Sequence, residues 1–353
     1  MTGTARRLAY RVGAYQAGGL LVALLVMSAI FTATSGQFLT RSNLLTILLQ
    51  VSVVGLVAIP GAMLVLTGYV DLSVGSVAVL SAAVFGQMAK VVGLPLAPAI
   101  TIALLVGAGW GLLNGVLICY FRFSPIIVTL GGFAGARGLA EAITKDVTQF
   151  GFGKTFSLLG NGTVQGVPIP VVIFIAVFLI GTYVWYEMPA GRHMAAIGSD
   201  KIAARALGVQ VFRVPAMLYV LSGAAAAAGG LILTSELDGA SVSIGVGLEL
   251  EVLTAVLLGG VAFSGGRGSL WGVLFGILFV GMLDDGLILI NVGPYLANVA
   301  IGGVLLAAAG FDVVYQLVER IPVTVDEEPD SPPGLIRNQT ATAATKPPSE
   351  RAL

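Results

Sequence analysis

The stretch LLTILLQVSVVGLVAIPGAMLVLTGYVDLSVGSVAVLSAAVFGQMA, residues 44–89, is almost continuously apolar. A membrane-spanning helix needs about 20 apolar residues, so this stretch is about twice the length of one span. The sequence therefore predicts two helices with a break near Gly68, and Asp71 or Ser73 is placed to cap the second helix. An ionisable residue at such a break is a candidate functional residue, and a purely structural cap is the alternative.

The composition extends this interpretation to the whole chain. Hydrophobic residues make up 57% of the 353 residues and charged residues only 10%. A soluble core cannot bury so much apolar surface, which predicts an all-α polytopic membrane protein. Ten apolar runs predict about ten transmembrane helices: 18–34, 44–66, 74–90, 95–119, 126–143, 169–187, 214–235, 247–263, 269–290 and 295–311. The runs 126–143 and 247–263 contain charged residues, and we expect them to be half-helices or buried helices.

The distribution of Lys and Arg predicts the orientation, because short basic loops stay in the cytoplasm. With the N-terminus inside, most basic residues fall on the inner side: Arg6, Arg7, Arg11, Arg122, Arg192, Lys201, Arg205, Arg213, Arg267 and Arg320. The outer side receives Arg41, Lys90, Lys145 and Lys154. Both termini are therefore predicted to be cytoplasmic.

Three segments follow from this topology. Residues 1–17 form a cytoplasmic N-terminal segment, and residues 18–312 form the transmembrane domain. Residues 313–353 change abruptly to Pro, Thr, Ala and acidic residues, a composition that cannot bury a core, so we expect a largely disordered cytoplasmic tail.

The largest internal cytoplasmic loop, 188–213, contains the stretch GRHMAAIGSDKIAARALGVQVFRVP, residues 191–215. Its pattern predicts a short helix, with Ser199 as N-cap, Asp200 at the positive helix end and Gly208 closing the helix in a left-handed conformation. A helix of about two turns is unstable alone. It must therefore dock on a partner, or rest on the membrane or on the bundle itself.

Four blocks of sequence carry a resemblance to a known family. The loop matches the pattern G-R-x-x-x-A-I-G-x-x-x-x-A-A-R-x-x-G through Gly191, Arg192, Ala196, Ile197, Gly198, Ala203, Ala204, Arg205 and Gly208. The other blocks are LTGYVDLSVGS (66–76), SPIIVTLGG (124–132) and LLGGVAFSGGRGSLWGVLFG (257–276). In this order, over residues 40–310, the chain resembles the permease subunit of bacterial sugar-type ABC importers, which serve ribose, xylose, galactose and autoinducer-2.

The resemblance implies a transport subunit of the bacterial inner membrane, without enzymatic activity of its own. The 188–213 loop would couple this chain to a separate ABC ATPase subunit, which would bind ATP and Mg²⁺. An extracytoplasmic sugar-binding protein would deliver a monosaccharide or similar polyol, and a second permease subunit, identical or related, would complete the pair in the lipid bilayer. The family usually has Glu where this chain has Ile202, which puts one ionic contact to the ATPase in doubt.

The residues present argue against an ATP-binding loop, a His/Cys metal cluster and a disulfide in this chain. The segment GFGKT, 151–155, is a fragment of a phosphate-binding loop, because the required first glycine position is Thr148. One histidine and one cysteine, Cys119, cannot form the usual His/Cys metal cluster or a disulfide within the chain. Nothing in the sequence indicates a nucleic-acid partner.

The sequence only weakly specifies which residues line the translocation pathway. A sugar pathway needs side chains that bond hydroxyl groups, and each such side chain has an ordinary alternative as an interhelical hydrogen bond or helix cap. The candidates for the pathway or gating are Asp71, Gln50, Asn114, Asn291 and Asn298, followed by Gln87, Trp110, Glu249, Glu251, Asp284 and Asp285. The competing hypothesis is a self-sufficient, gradient-driven secondary transporter, which predicts acids deep in the spans and an inverted repeat.

Overall fold

The computed structural model describes residues 3–319, with side chains for residues 18–293 and 296–310. The chain divides into a main unit, Met1–Val314, and a second unit, Tyr315–Leu353, of which only residues 315–319 are described. The final helix continues past residue 312 to Glu319. The rest of the predicted tail, 320–353, lies outside the described residues.

The described part of the chain is mainly helical, as its composition predicts. The helices are α1 (Gly3–Thr34), α2 (Arg41–Leu66), α3 (Val74–Gly86, extended by a π-helical turn Gln87–Val91), α4 (Leu96–Cys119), α5 (Pro125–Thr144), α6 (Lys154–Asn161), α7 (Ile169–Tyr186), α8 (Pro189–Ser199), α9 (Lys201–Ala206), α10 (Arg213–Glu236), α11 (Leu248–Leu258), α12 (Leu270–Leu289) and α13 (Pro294–Glu319).

Seven of the described helices are long and apolar enough to cross a membrane: α2, α3 with its π-helical turn, α4, α5, α7, α10 and α12. Two shorter apolar segments, Gly18–Thr34 and Leu296–Gly310, lie in α1 and α13. The run 247–263 yields only the 11 residues of α11, which agrees with a half-helix. The run 126–143 forms the 20-residue α5, which is neither short nor buried. The expectation of a half-helix or a buried helix is therefore wrong for this run.

The centre of the bundle is formed by α2, α3 and α10, most of whose residues are buried. The other long helices pack around them and leave apolar side chains exposed on their outer faces, such as Leu105 on α4, Ile127 on α5 and Ile180 on α7. A helix that is apolar on all sides is typical of a membrane span. The same apolar composition therefore supplies both the core and the outer surface.

The predicted break between α2 and α3 is present. Gly68 follows the end of α2 with a φ of 78°, a left-handed conformation that glycine adopts without strain. The chain then runs without helical structure to Ser73, which occupies the N-cap position of α3 but makes no side-chain cap. Asp71 instead accepts a hydrogen bond from the backbone N–H of Ser73 at 3.0 Å.

The segment between α5 and α7, 145–168, has its own structure. Strand β1 (Gln149–Phe150) pairs antiparallel with β4 (Gly239–Ala240), and β2 (Thr163–Val164) pairs with β3 (Val167–Pro168). The backbone N–H of Phe152 donates to Asp238 at 3.0 Å. The loop is thereby attached to the segment that follows α10, and the GFGKT fragment forms the turn into α6.

Glycines bring α4 and α10 into backbone contact. A Cβ atom on Gly111 would overlap the carbonyl oxygen of Tyr219, and one on Gly223 would overlap the carbonyl oxygen of Gly107. Small residues allow this close approach of membrane helices.

We expect Gly223→Ala to lower the thermal unfolding midpoint of the detergent-purified protein, because the two helices must separate to admit the methyl group. Overpacking of this kind costs about 1–3 kcal/mol. Gly109→Ala, on the partner helix α4, is the control, since a Cβ there meets no atom within 4 Å and the alanine favours helix. Equal midpoints for the two variants would contradict the expectation.

Candidate functional site

Two short helices, α8 and α9, form most of the loop predicted over 188–213. The Asp200 carboxylate caps α9 by accepting hydrogen bonds from the backbone N–H groups of Ile202, at 2.8 Å, and Ala203, at 3.0 Å. Such a cap satisfies donors that a helix of this length otherwise leaves unpaired. The predicted short helix is therefore present.

The assignment of the cap to Ser199 is wrong. Ser199 is the last residue of α8, and its hydroxyl donates to the carbonyl oxygen of Ala195 at 2.8 Å. Gly208 does adopt the predicted left-handed conformation, with a φ of 82°. Helix α8 itself was missed by the sequence reasoning, although Gly191, Met194 and Ile197 recur at helical spacing and are all buried.

Two glycines of the loop motif hold α8 against the bundle. A Cβ atom on Gly191 would overlap the carbonyl oxygen of Trp185, at the end of α7. One on Gly198 would overlap the carbonyl oxygen of Leu66 and the backbone nitrogen of Gly266. The backbone N–H of Gly266 in turn donates to Leu66 at 2.9 Å. The loop is thus packed against the end of α2 and the glycine-rich turn between α11 and α12.

Two large apolar side chains are exposed at α9 and directly after it, beside the exposed Lys201 and Arg205. Ile202 is 84% exposed and Leu207 is 82% exposed, whereas Ala204 is buried against Ile197 and Val211. Four residues of the loop motif are also exposed: Arg192, Ala203, Arg205 and Gly208. Because the loop is anchored to the bundle from behind, these two apolar side chains remain accessible on its outer side.

A lysine connects this loop with the α2–α3 break. The Lys201 ammonium donates to the Tyr69 hydroxyl at 2.6 Å and lies 4.2 Å from the centre of the Tyr69 ring. Tyr69 packs edge-on against Tyr219 of α10, whose hydroxyl donates to the carbonyl oxygen of Val70 at 2.9 Å. Burial lowers the pKa of the Lys201 ammonium from its ordinary value. No sequence pattern predicted this contact.

The Asp71 side chain links three parts of the bundle. One of its oxygens accepts from the Ser73 hydroxyl at 2.6 Å, and the other accepts from the Ser222 hydroxyl of α10 at 2.9 Å. The Ser73 oxygen also accepts from the side-chain amide of Asn114, on α4, at 2.9 Å. Two of the predicted pathway residues, Asp71 and Asn114, therefore belong to one buried polar network.

The structure does not bring Gln50, Asn291 or Asn298 to this network. Gln50 lies in α2, and its buried side-chain oxygen has no hydrogen-bond partner among the described residues. Asn291 follows α12 with a φ of 59° and is exposed, and Asn298 is exposed on α13.

Membrane-length helices packed around an enclosed polar break define a multi-pass membrane protein. The chain belongs to the family described as branched-chain amino acid transport system / permease component, whose model matches residues 43–309. The matched range includes the α2–α3 break and the whole 188–213 loop.

Characterised relatives are similar over most of their length. The ribose import permease protein RbsC of Bacillus subtilis (strain 168) is 36% identical over 302 residues, covering 85% of this chain and 94% of the relative. The D-allose transport system permease protein AlsC of Escherichia coli (strain K12) is 31% identical, covering 83% and 90%. The fructose import permease protein FrcC of Rhizobium meliloti is 33% identical, covering 83% and 84%. The resemblance drawn from the four sequence blocks is confirmed, and the gradient-driven alternative is not supported.

Proposed function

We propose that this chain translocates a monosaccharide, or a similar small polyol, through the bacterial inner membrane as the permease subunit of an ABC importer. The observation that carries the proposal is the exposure of Ile202 on α9 and of Leu207 directly after it, in a loop that is packed onto the bundle from behind. The names of the relatives, which specify ribose, allose and fructose, support the substrate class.

The partners follow from the same proposal. A separate ABC ATPase, which binds ATP and Mg²⁺, docks on the α8–α9 loop, and an extracytoplasmic sugar-binding protein docks at the opposite end. The structured segment 145–168 suits that second contact, because it presents exposed side chains such as Val147 and Phe150 on a base attached to α10. A second permease subunit, identical or related, completes the transporter.

We also propose that about ten segments cross the bilayer, with both termini in the cytoplasm. The count adds the apolar parts of α1 and α13 and the half-helix α11 to the seven long apolar helices. Under this topology the α8–α9 loop lies on the cytoplasmic side, where the ATPase is, and segment 145–168 lies outside.

Reconstitution tests the proposal. The chain is purified with an ABC ATPase from the same organism, placed in proteoliposomes and supplied with a sugar-binding protein from that organism and radiolabelled D-ribose, D-allose, D-fructose or L-arabinose. We expect uptake of at least one sugar only when ATP and all the proteins are present. Uptake that runs on an ion gradient without ATP would contradict the proposal.

The Lys201–Tyr69 contact predicts a defect in coupling. In Lys201→Met the loop loses its charged link to the α2–α3 break, so we expect the ATPase to bind normally while less sugar is transported per ATP hydrolysed. Lys201→Arg keeps a cation that donates hydrogen bonds and stacks on an aromatic ring, so it should retain most of the coupling. The measurement is the ratio of sugar uptake to phosphate release. A normal ratio in Lys201→Met would show that the contact does not transmit movement.

A further inference from the structure

Two arginines of this chain share one aromatic ring. The guanidinium carbon of Arg122, in the turn between α4 and α5, lies 5.7 Å from the centre of the Phe212 ring, and that of Arg205, on α9, lies 5.6 Å from it. Arg213, the first residue of α10, follows Phe212 directly and is exposed. The fold therefore brings arginines from three different elements to one place.

The positive charge of this cluster is not neutralised by the described part of the chain. Arg122 and Arg205 are both exposed, and neither forms an ion pair with a described carboxylate. Asp200, the acidic residue nearest to Arg205 in sequence, instead accepts two backbone hydrogen bonds at the start of α9. Because like charges repel, two guanidinium groups over one ring are stabilised by an anion that binds both of them.

The backbone at Arg122 is unusual for an arginine. The turn after α4 is closed by a hydrogen bond from the backbone N–H of Phe123 to the carbonyl oxygen of Leu117, at 3.2 Å, and Arg122 within it has a φ of 60°. Glycine adopts this left-handed conformation without strain, whereas a residue with a Cβ atom does not. An arginine at this position makes the turn less stable than a glycine would, which indicates that its side chain has a function.

The surroundings of the cluster match the surface of a bilayer. The turn joins α4 to α5, and α10 begins directly after Phe212; all three helices are long and apolar enough to cross a membrane. Three aromatic side chains of the turn are each more than half exposed: Tyr120, Phe121 and Phe123. Aromatic residues at the ends of membrane spans lie at the level of the lipid headgroups. The arginines next to them are therefore within reach of those headgroups.

We propose that Arg122 and Arg205 together bind the phosphate of an anionic phospholipid in the leaflet at this end of the bundle, and that Arg213 adds to the attraction. A guanidinium group donates two parallel hydrogen bonds to phosphate oxygens, and basic residues beside membrane spans attract anionic lipids. The topology proposed above makes this the cytoplasmic leaflet. A lipid fits this place better than the ATPase does, because Phe212 and the exposed aromatic turn lie at the ends of the spans, whereas the ATPase is proposed to dock at Ile202 and Leu207.

Native mass spectrometry of the delipidated, full-length permease tests this site. The protein in a neutral detergent is titrated with phosphatidylglycerol, and phosphatidylcholine with the same acyl chains is the control lipid. We expect phosphatidylglycerol to bind saturably and more tightly than phosphatidylcholine, whose phosphate is balanced by its own choline. We also expect this preference to decrease as the salt concentration rises, because the contact is between exposed charges.

Matched double variants separate the site from a general effect of charge. Arg122→Gly with Arg205→Gln removes both guanidinium groups, and the glycine also relieves the left-handed turn, so this variant should fold at least as well as the unmodified chain. We expect it to bind phosphatidylglycerol about 30-fold more weakly, since each arginine near the membrane surface contributes about five-fold. Arg192→Gln with Lys154→Gln removes the same charge at two exposed positions outside the cluster, and its affinity should be nearly unchanged.

The outcomes separate this inference from the proposed function, because the titration needs neither the ATPase nor a solute. Equal binding of the two lipids by the unmodified chain would overturn the lipid site, as would equal affinities of the two double variants. If the Arg122→Gly, Arg205→Gln variant bound phosphatidylglycerol normally but no longer co-purified with the ATPase, the arginines would belong to the ATPase surface instead. Selective lipid binding together with a failure of ATP-driven uptake would retain the lipid site and reject the ABC mechanism.

Discussion

We expect ATP-driven uptake to be lost when Ile202 and Leu207 are both replaced by aspartate. The two side chains are the exposed apolar tip of α9, so the permease itself has no folding requirement for them. In the assembled transporter they would be buried against the ATPase, where an unpaired carboxylate is strongly disfavoured. We expect about 2 kcal/mol or more per site, which is about a 30-fold loss of ATPase affinity for each substitution.

Co-purification with the ATPase measures this effect, and uptake into proteoliposomes confirms it. Gln210→Glu is the matched control, because it adds a negative charge to an exposed position of the same loop outside α9. Ala204→Asp is a poor substitute for the double variant, since Ala204 is buried and its replacement would disrupt the loop from inside. Normal ATPase binding by the folded double variant would refute the docking surface.

Ile202 also bears on the one departure from the family pattern. An exposed isoleucine at this position makes an apolar contact available where the family usually has a carboxylate. Ile202→Glu therefore separates the two kinds of contact. ATPase binding that is weaker than that of the unmodified chain would indicate that the partner surface is apolar here.

The α2–α3 break was predictable because it follows from length alone. An apolar run of twice the membrane thickness must turn, and Gly68 is the residue within it that accepts a left-handed conformation. Which helices surround the break was not predictable. The contacts of Asp71 with Ser222 and of Ser73 with Asn114 join residues that are far apart in sequence, and no periodicity records such pairs.

The boundaries and caps of the short helices α8, α9 and α11 could be predicted only in part. Glu249 and Glu251 interrupt the apolar run 247–263, so its charge content indicated a half-helix, but the actual end of α11 depends on the glycines at 259–260. In α8 the buried positions include a glycine, which carries no hydrophobic signal of its own. Asp200 and Ser199 are both good N-cap residues, and only the three-dimensional course of α8 decides between them.

Asp71→Leu is expected to destabilise the folded permease more than any other single substitution in the polar network. Leucine removes the acceptor of three hydrogen bonds, which come from the Ser73 backbone N–H, the Ser73 hydroxyl and the Ser222 hydroxyl. Each buried donor left without an acceptor costs about 1–3 kcal/mol, so the total is several kcal/mol. We expect loss of monodisperse protein, or a much lower thermal unfolding midpoint, together with loss of uptake.

Three further variants identify the cause of that loss. Asp71→Asn keeps an oxygen acceptor and the side-chain shape, so its unfolding midpoint should lie between those of the unmodified chain and Asp71→Leu. Ser222→Ala removes one of the stranded donors, and adding it to Asp71→Leu should recover part of the midpoint. Glu187→Leu, at an exposed carboxylate after α7, should be nearly neutral. If Asp71→Leu unfolded at the same temperature as Glu187→Leu, the network would contribute nothing to stability, and any loss of uptake would place Asp71 in the transport cycle itself.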